Sequence, residues 1–255
     1  MATAALTATL LAGCAATRAG APSAPEPPPS LDFAALVAAP DRTAEDRALD
    51  PGRHPADLVA FLRLRPGMRV AELGAGGGYT AELMARAVGP TGTVYAQNPD
   101  AFRKFIGPAW PARLARPVMR CAVRVDREFD DPLPPDAHGL DLVLMNAVFH
   151  DTIWLRTDRA RMVRAIFDAL APGGAFVVID SSARPGADTF SAAYELHRVD
   201  EALVRREVEA AGFRAAETSD FLRNPADARD WNAAPNEAGA RRGTSDRFAI
   251  RFVKP

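Results

Sequence analysis

Four glycines follow an acid near residue 75 of this chain. The acid is Glu72, and the pattern E-x-G-x-G-x-G spans residues 72–78. The glycines are Gly74, Gly76, Gly77 and Gly78. Glycine is needed where φ is positive, or where a ligand approaches the backbone too closely for a Cβ. A carboxylate beside such a turn attracts a cationic ligand group and repels a pyrophosphate. The pattern therefore predicts a binding site for a ligand that carries positive charge.

A histidine and an aspartate form a second candidate site. His150 and Asp151 come shortly after the apolar segment 140–145, and Asn146 follows that segment directly. A histidine can remove a proton from a hydroxyl group, and a carboxylate can orient its ring. Neighbours in sequence do not automatically pair, and a single histidine often has a purely structural role. The pair is a candidate for general base and orienting acid, with a structural histidine as the alternative.

Strand and helix patterns place both sites at one edge of a sheet. Short apolar runs predict strands at 68–73, 93–96, 118–125, 140–145, 175–179, 213–218 and 247–253. Helical spacing predicts a broken helix within 100–114 and helices at 31–39, 55–64, 80–88, 157–170 and 190–211. No helix separates the last two strands, which indicates an antiparallel hairpin. In open α/β sheets, ligands bind at the carboxyl ends of the strands.

The glycine pattern resembles motif I of the class I S-adenosylmethionine (SAM)-dependent methyltransferases. Two more features of that family follow in order, the turn L-x-P-G-G at 170–174 and the junction A-G-F at 211–213. The resemblance covers residues 53–254. It implies an α/β, Rossmann-like seven-stranded sheet in the order 3-2-1-4-5-7-6, with strand seven antiparallel and helices on both faces. The segments D-R-x-x-E-D-R (41–47) and H-D-T (150–152) look like those of a bacterial group of predicted methyltransferases with unassigned substrates.

The resemblance implies SAM as cofactor and transfer of its methyl group to a small-molecule acceptor. The acid of motif I helps to hold the cofactor's amino group in this family, which gives Glu72 that role. His150 and Asp151 would be the catalytic base and its orienting acid. The glycine loop and residues at the ends of strands two to four would complete the ligand-binding set, which is Gly74, Gly76, Gly78, Gln97, Asp126 and Asn146.

Two of these assignments depart from the family pattern or stay open. An acid normally accepts the ribose hydroxyls after strand two, but Gln97 stands there and offers only an uncharged acceptor. The acid that contacts adenine is Asp126 or one of three rivals in the same loop. These rivals are Glu128, Asp130 and Asp131.

Composition excludes several other classes of function. The net charge of −1 offers no general attraction for nucleic acid. Two cysteines are too few for a disulfide framework, and no four-ligand zinc spacing exists, so the sequence predicts no metal site. Residues 31–255 have the length and composition of one globular domain. The sequence makes no prediction of the oligomeric state.

Two alternative functions come from other classes of protein. Gly76-x-Gly78-x-x-Ala81 also fits the dinucleotide fingerprint of an NAD(P)-dependent oxidoreductase, although Glu72 and the closing hairpin argue against it. The second alternative is a lipid-anchored, catalytically inactive binding protein with the methyltransferase fold. The uncharged Gln97 and the N-terminal segment favour this alternative.

The N-terminal segment resembles the signal of bacterial lipoproteins. An apolar run leads to L-A-G-C, which ends at Cys14, and residues 15–30 form an Ala/Pro-rich tether. The resemblance predicts a lipid on Cys14 and a location in the cell envelope. No Lys or Arg precedes the apolar run, and SAM is made in the cytoplasm. A cytoplasmic protein with a disordered N-terminus therefore remains the alternative.

Overall fold

The structure, a computed structural model, describes residues 1–2 and 31–255. Cys14, the tether at 15–30 and nearly all of the predicted signal segment 1–14 lie outside the described residues. Residues 31–255 form one compact unit. Its strands are β1 (Arg69–Leu73), β2 (Thr93–Asn98), β3 (Ala122–Asp126), β4 (Leu140–Asn146), β5 (Leu170–Ser181), β6 (Arg214–Ser219) and β7 (Arg247–Val253).

Ten α-helices accompany these strands within the described part of the chain. They are α1 (Phe33–Ala38), α2 (Ala44–Arg53), α3 (Pro55–Leu62), α4 (Tyr79–Val88), α5 (Asp100–Ile106), α6 (Ala109–Leu114), α7 (Asp151–Trp154), α8 (Arg159–Ala169), α9 (Thr189–Leu196) and α10 (Glu201–Ala210). None of these helices is long and apolar enough to cross a membrane.

All seven strands form a single sheet in the order β3-β2-β1-β4-β5-β7-β6. The first five strands pair in parallel, and β7 runs antiparallel to both β5 and β6. Helical segments link β1 to β2, β2 to β3 and β4 to β5, whereas the segment 127–139 between β3 and β4 contains no helix. The sheet order, the antiparallel last strand and the α/β class predicted from the sequence are confirmed.

Apolar side chains cover both faces of the sheet. Successive residues of a strand point to opposite faces, so the neighbours Val143 and Leu144 of β4 enter different cores. Met162 of α8 belongs to the first core, and Leu83 of α4 belongs to the second. Burial on both faces explains why the parallel strands read as nearly continuous apolar runs in the sequence.

The long helix predicted at 190–211 is two helices, and that prediction was wrong. His197 has a left-handed backbone (φ 52°) and ends α9. Val199 then donates its amide hydrogen to Ser181 at the end of β5. The helical spacing of apolar residues continues across this break, so the local pattern alone does not show it. The helix is interrupted here because the backbone of Val199 bonds to the end of β5 instead of continuing the helix.

Smaller differences concern the ends of three elements. Asp158 rather than the predicted Thr157 caps α8, and its carboxylate accepts the Arg161 amide hydrogen at 3.0 Å. The predicted turn at 50–52 is the last turn of α2, which contains Pro51. The predicted third strand at 118–125 begins only at Ala122, after a short 3-10 helix.

Candidate active site

Four parallel strands end together at one edge of the sheet. Leu73 of β1 pairs with Gln97 of β2 on one side and with Met145 of β4 on the other. Asn146 of β4 pairs with Ile179 of β5. The loops that follow these strands therefore meet at one edge, where the sequence placed both candidate sites.

Glu72 lies in β1 just before the glycine loop, with only 3% of its surface exposed. Burial raises the pKa of its carboxyl group to about 8, opposed by hydrogen bonding from the Thr80 hydroxyl and by the charge of Arg53. Within residues 31–255, its Oε2 atom has no hydrogen-bond partner. A buried oxygen without a partner costs free energy unless a ligand supplies a donor. The position suits a ligand group that carries N–H hydrogens and positive charge.

Two side-chain amides at the end of β2 fix the glycine loop. Oε1 of Gln97 accepts the Gly74 amide hydrogen at 2.9 Å, and Nε2 of Gln97 donates to the carbonyl of Arg127 at 2.5 Å. Asn98 bonds in the same way to both backbone groups of Gly76. Both polar ends of Gln97 are thus occupied by backbone. Gln97 therefore holds the loop, and its contact with the ribose stays a prediction.

The loop glycines differ in what surrounds them. An added Cβ on Gly78 would lie 2.3 Å from the ring of Trp110, and one on Gly74 would lie 2.9 Å from Val148. A Cβ on Gly76 would meet no protein atom within 4 Å. Gly74 and Gly78 are therefore required by packing, whereas Gly76 borders open space that a ligand can occupy.

A second charged group approaches Glu72 from α2. The guanidinium of Arg53 lies over the ring of Tyr79, 4.4 Å from its centroid. Arg53 forms no hydrogen bond or ion pair with another described residue, and burial lowers the pKa of its side chain, opposed by the nearby Tyr79 and Glu72. The hydroxyl of Tyr79 donates to Asp50 at 2.6 Å, which fixes the ring. Arg53 is therefore available to an anionic ligand group next to the cationic position at Glu72.

The structure separates the two other predicted cofactor contacts. Asn146 ends β4, and its Nδ2 lies 3.4 Å from the hydroxyl of Thr80, which also bonds to Glu72. Asp126 ends β3 on the protein surface and pairs with Arg124 at 2.8 Å. Asn146 therefore belongs to the surroundings of Glu72, and Asp126 lies at the margin of the same sheet edge.

His150 is held by an acid that the sequence analysis did not select. Its Nδ1 lies 2.8 Å from Oδ1 of Asp180, and its backbone amide donates to Oδ2 of the same carboxylate at 3.0 Å. Burial disfavours the imidazolium, but the charges of Asp180 and Asp151 outweigh it and raise the pKa of His150 to about 9. Asp180 therefore orients the ring of His150 through Nδ1. The roles of general base for His150 and of orienting acid for Asp151 stay predictions.

Asp151 instead faces the other side of the histidine ring. Its Oδ1 lies 3.4 Å from Nε2 of His150 and accepts a hydrogen bond from the indole of Trp154 at 2.8 Å. The ring of His197 meets the ring of His150 edge-on, with 5.3 Å between centroids. Burial raises the pKa of Asp151, whereas burial and the charge of His150 lower the pKa of His197. Two histidines and two acids therefore share one buried cluster.

Four residues of the site were missed by sequence reasoning. Asn98 and Asp180 carry a usable signal, since each is a polar residue at the end of an apolar strand. Arg53 and His197 carry none, because the first lies in a densely charged segment and the second in a predicted helix. Only the folded chain brings these two side chains to the sheet edge.

Part of this sequence is similar to known proteins. A model of the protein-L-isoaspartate(D-aspartate) O-methyltransferase family matches residues 44–98, which include α2, β1, the glycine loop and β2. Acetylserotonin O-methyltransferase of Mus musculus molossinus is 30% identical over 132 residues, which are 51% of this chain and 32% of that protein. The Mus musculus protein is 31% identical over the same shares. The match thus spans about a third of the length of these curated relatives.

Solved structures of other proteins have a similar fold over most of this chain. A SAM-dependent methyltransferase from Aquifex aeolicus superimposes with a TM-score of 0.58 at 17% identity, covering 83% of this chain and 98% of that one. A putative sarcosine dimethylglycine methyltransferase from Galdieria sulphuraria gives 0.59 at 14% identity, covering 84% and 89%. The chain has the class I methyltransferase fold. Human N-acetylserotonin methyltransferase in complex with SAM also matches, with a TM-score of 0.52 at 19% identity and coverage of 83% and 54%.

The segment 44–98, which matches the family model, carries most of the groups around Glu72. It contains Arg53, the glycine loop and both anchoring amides, whereas the cluster around His150 lies outside it. Of the two halves of the site, the one around Glu72 therefore lies within the matched family segment, and the one around His150 lies outside it.

Proposed function

We propose that this protein is a SAM-dependent methyltransferase that acts on a small-molecule acceptor. One observation carries the proposal: the buried carboxylate oxygen Oε2 of Glu72 has no partner among the described residues. The glycine loop that follows Glu72 in the chain leaves open space at Gly76. The fold, the family match and the relatives support SAM as the ligand of this position. The matched family and the curated relatives are O-methyltransferases by name, which supports an oxygen atom as the acceptor.

Glu72 and Arg53 are complementary to the two charged ends of an amino acid. Glu72 would accept hydrogen bonds from the α-ammonium of the methionine part, and Arg53 would bind its carboxylate. The flat ring of Tyr79 keeps Arg53 in place through a cation–π contact. NAD(P) has no such paired group, so the same two residues distinguish the proposed cofactor from a dinucleotide.

When bound, SAM supplies an electrophilic methyl group on a sulfonium, whose C–S bond breaks as the bond to the acceptor forms. The residues of this chain then have to orient the acceptor in line with that bond and exclude water. Asn146 and the loop that follows it up to His150 would orient the acceptor at this edge of the sheet. Ala147 in this loop has a left-handed backbone (φ 58°), fixed by a 2.7 Å hydrogen bond from its amide to Ile179. Such strain is typical of backbone held for function.

Thermal unfolding of the full-length chain with SAM, S-adenosylhomocysteine or NAD tests the cofactor. At a hundredfold excess over Kd, binding adds about 2.7 kcal/mol, which raises the Tm by roughly 5 °C for a domain of this size. We expect a shift with the two adenosyl ligands and none with NAD. Glu72→Gln and Arg53→Gln should each reduce this shift through weaker binding, and Glu45→Gln on the exposed face of α2 should retain it.

Other results would favour the alternatives. A shift with NAD alone would identify an oxidoreductase. Binding of SAM without transfer of a labelled methyl group to any small molecule of a cell extract would favour an inactive binding protein. Absence of binding to all three ligands would contradict the proposed cofactor.

We also propose that a lipid on Cys14 attaches the protein to the cell envelope. The lipobox-like sequence at 11–14 supports this proposal. Mass spectrometry of the native protein should show a chain that begins at a lipidated Cys14. A native chain that still begins at Met1 would contradict it and favour the cytoplasmic alternative.

A further inference from the structure

His150, Asp151 and His197 lie close enough for one ion to contact all three. Each offers one ligand atom, and these atoms all lie within 4.8 Å of one another. Nε2 of His150 is 3.4 Å from Oδ1 of Asp151. Two ligand atoms of a tetrahedral zinc ion, each about 2.1 Å from the metal, are about 3.4 Å apart. This pair already has the required separation, and because no ligand atom lies more than 4.8 Å from another, His197 needs to approach by at most about 1.4 Å.

The surrounding hydrogen bonds direct the correct atoms inward. Asp180 lies 2.8 Å from Nδ1 of His150, which leaves Nε2 of that ring facing Asp151. A carboxylate that bonds to the far nitrogen of a histidine is the usual second layer of a metal site. The indole of Trp154 donates to Asp151 and fixes that carboxylate as well. Both potential ligands are therefore oriented before any ion arrives.

Charge balance also calls for a cation. Asp180 is fully buried and Asp151 is 8% exposed. Among the described residues, neither forms an ion pair with an arginine or lysine; their only cationic partner is His150. Buried carboxylates are stable only when opposite charge compensates them. A divalent ion bound by neutral imidazoles would balance both carboxylates.

His197 is held at the cluster by a strained backbone. Its φ of 52° is unfavourable for a residue with a side chain, and its Nδ1 is buried without a partner within residues 31–255. The next residue, Arg198, is fully buried and pairs with Asp227 at 2.8 Å. This anchor keeps the backbone of His197 in place. The left-handed backbone ends α9, and the buried Nδ1, without a partner among the described residues, is free to bind a metal ion.

We propose that His150, Asp151 and His197 bind one divalent first-row transition-metal ion, with Zn²⁺ or Fe²⁺ as the best fit. Two imidazoles and one carboxylate suit these ions, whereas Mg²⁺ and Ca²⁺ prefer oxygen ligands. Three protein ligands leave a coordination position for another molecule. The ligands come from the start of α7 and from the break between α9 and α10. Their spacing in the sequence therefore does not indicate a metal site. The site goes beyond methyl transfer and does not depend on it.

Metal titration of the full-length chain tests the proposal. The protein is stripped with a chelator and titrated with Zn²⁺, followed by calorimetry, and with Co²⁺, followed by visible absorption. We expect one equivalent of Zn²⁺ to bind and a higher Tm, and Co²⁺ to give ligand-field bands of a site with nitrogen and oxygen donors. Circular dichroism confirms that the stripped protein is folded. A folded protein that binds no Zn²⁺ in stoichiometric amount would overturn the proposal.

Variants locate the ion. His197→Gln and Asp151→Asn each remove one ligand and should weaken Zn²⁺ binding at least tenfold, and Asp180→Asn should weaken it 10- to 100-fold through His150. The double variant His54→Gln/His138→Gln removes the two exposed histidines and should bind as the wild type does. Unchanged affinity in the folded His197→Gln variant, or lost affinity in the double variant, would contradict the proposed ligands.

Discussion

The side-chain amide of Asn98 bonds to both backbone groups of Gly76. Its Oδ1 accepts the amide hydrogen at 2.8 Å, and its Nδ2 donates to the carbonyl at 3.2 Å. Gln97 likewise uses its acceptor on Gly74 and its donor on Arg127. A carboxylate could accept these bonds but could not donate. The absence of an acid at the end of β2 therefore follows from how this glycine loop is held.

Gln97→Glu tests this explanation. If Gln97 were a weakened ribose contact, the acid would improve SAM binding. We expect the opposite, because the variant loses its donor to Arg127 and places a charge at a fully buried position. Urea unfolding should show a loss of about 2–4 kcal/mol, and SAM should bind more weakly. Asn236→Asp makes a similar change on the surface and should be neutral. Tighter SAM binding by Gln97→Glu would instead support a contact between residue 97 and the ribose.

Alanine at two glycines should separate binding from stability. Gly76→Ala adds a Cβ that meets only open space, at a strain cost of about 1 kcal/mol for φ +56°. It should keep the fold and weaken SAM binding at least tenfold. Gly78→Ala drives a Cβ into Trp110 and should lose about 2–4 kcal/mol of unfolding free energy. Thermal unfolding and calorimetry measure both effects. SAM binding of wild-type strength by Gly76→Ala would place the cofactor elsewhere.

Glu72 should make the stability of the ligand-free protein depend on pH. Burial raises the pKa of its carboxyl group from 4.5 to about 8. Its contribution to stability is therefore complete below pH about 4.5 and is lost as the pH rises through about 8. Glu72→Gln stays neutral, so it should become more stable than the wild type by a few kcal/mol between pH 5 and pH 9. Denaturant unfolding at several pH values measures this difference. A constant difference would contradict the raised pKa.

The same group should release a proton when SAM binds. An ammonium group favours the ionised carboxylate, so near pH 7 the wild type should release more protons than Glu72→Gln. Calorimetry in two buffers of different ionisation enthalpy gives the number of protons. Glu45→Gln serves as the exposed control and should match the wild type. Equal proton release by the wild type and Glu72→Gln would show that the ligand does not contact Glu72.

The buried pair of Arg198 and Asp227 should be a main determinant of stability near α9. Both side chains are fully buried, so Asp227→Ala leaves an uncompensated charge and should cost about 3–5 kcal/mol. The exposed pair of Arg164 and Asp168 is the matched control. Arg164→Ala should change the unfolding free energy by less than about 0.5 kcal/mol. A small effect of Asp227→Ala would show that water or another group replaces the carboxylate.

The fold was predictable because its signals are local. The periodicity of apolar residues, the glycines around Gly76 and the missing helix before β7 each concern a few neighbouring positions. Glu72 and His150 were selected from equally local signals, since Glu72 lies near the end of β1 and His150 lies four residues after β4. The pairing of His150 with Asp180 and His197 was not predictable, although Asp180 itself stands at the end of an apolar strand. Asp180 lies on the next strand of the sheet, and His197 reaches the cluster only because a helix breaks where β5 captures the backbone.

Helix α2 is attached to the rest of the domain mainly through charged side chains that form ion pairs. Its only buried residue is Asp46, which Arg113 of α6 binds with two hydrogen bonds of 2.7 and 2.8 Å. Detachment of α2 would expose little apolar surface, because Leu49 alone packs partly against the core. The amide hydrogens of α2 should therefore exchange with solvent long before those of β1. Since Arg53 ends this helix, a ligand bound to it would slow that exchange, and detachment would give the ligand a way in and out without unfolding the sheet.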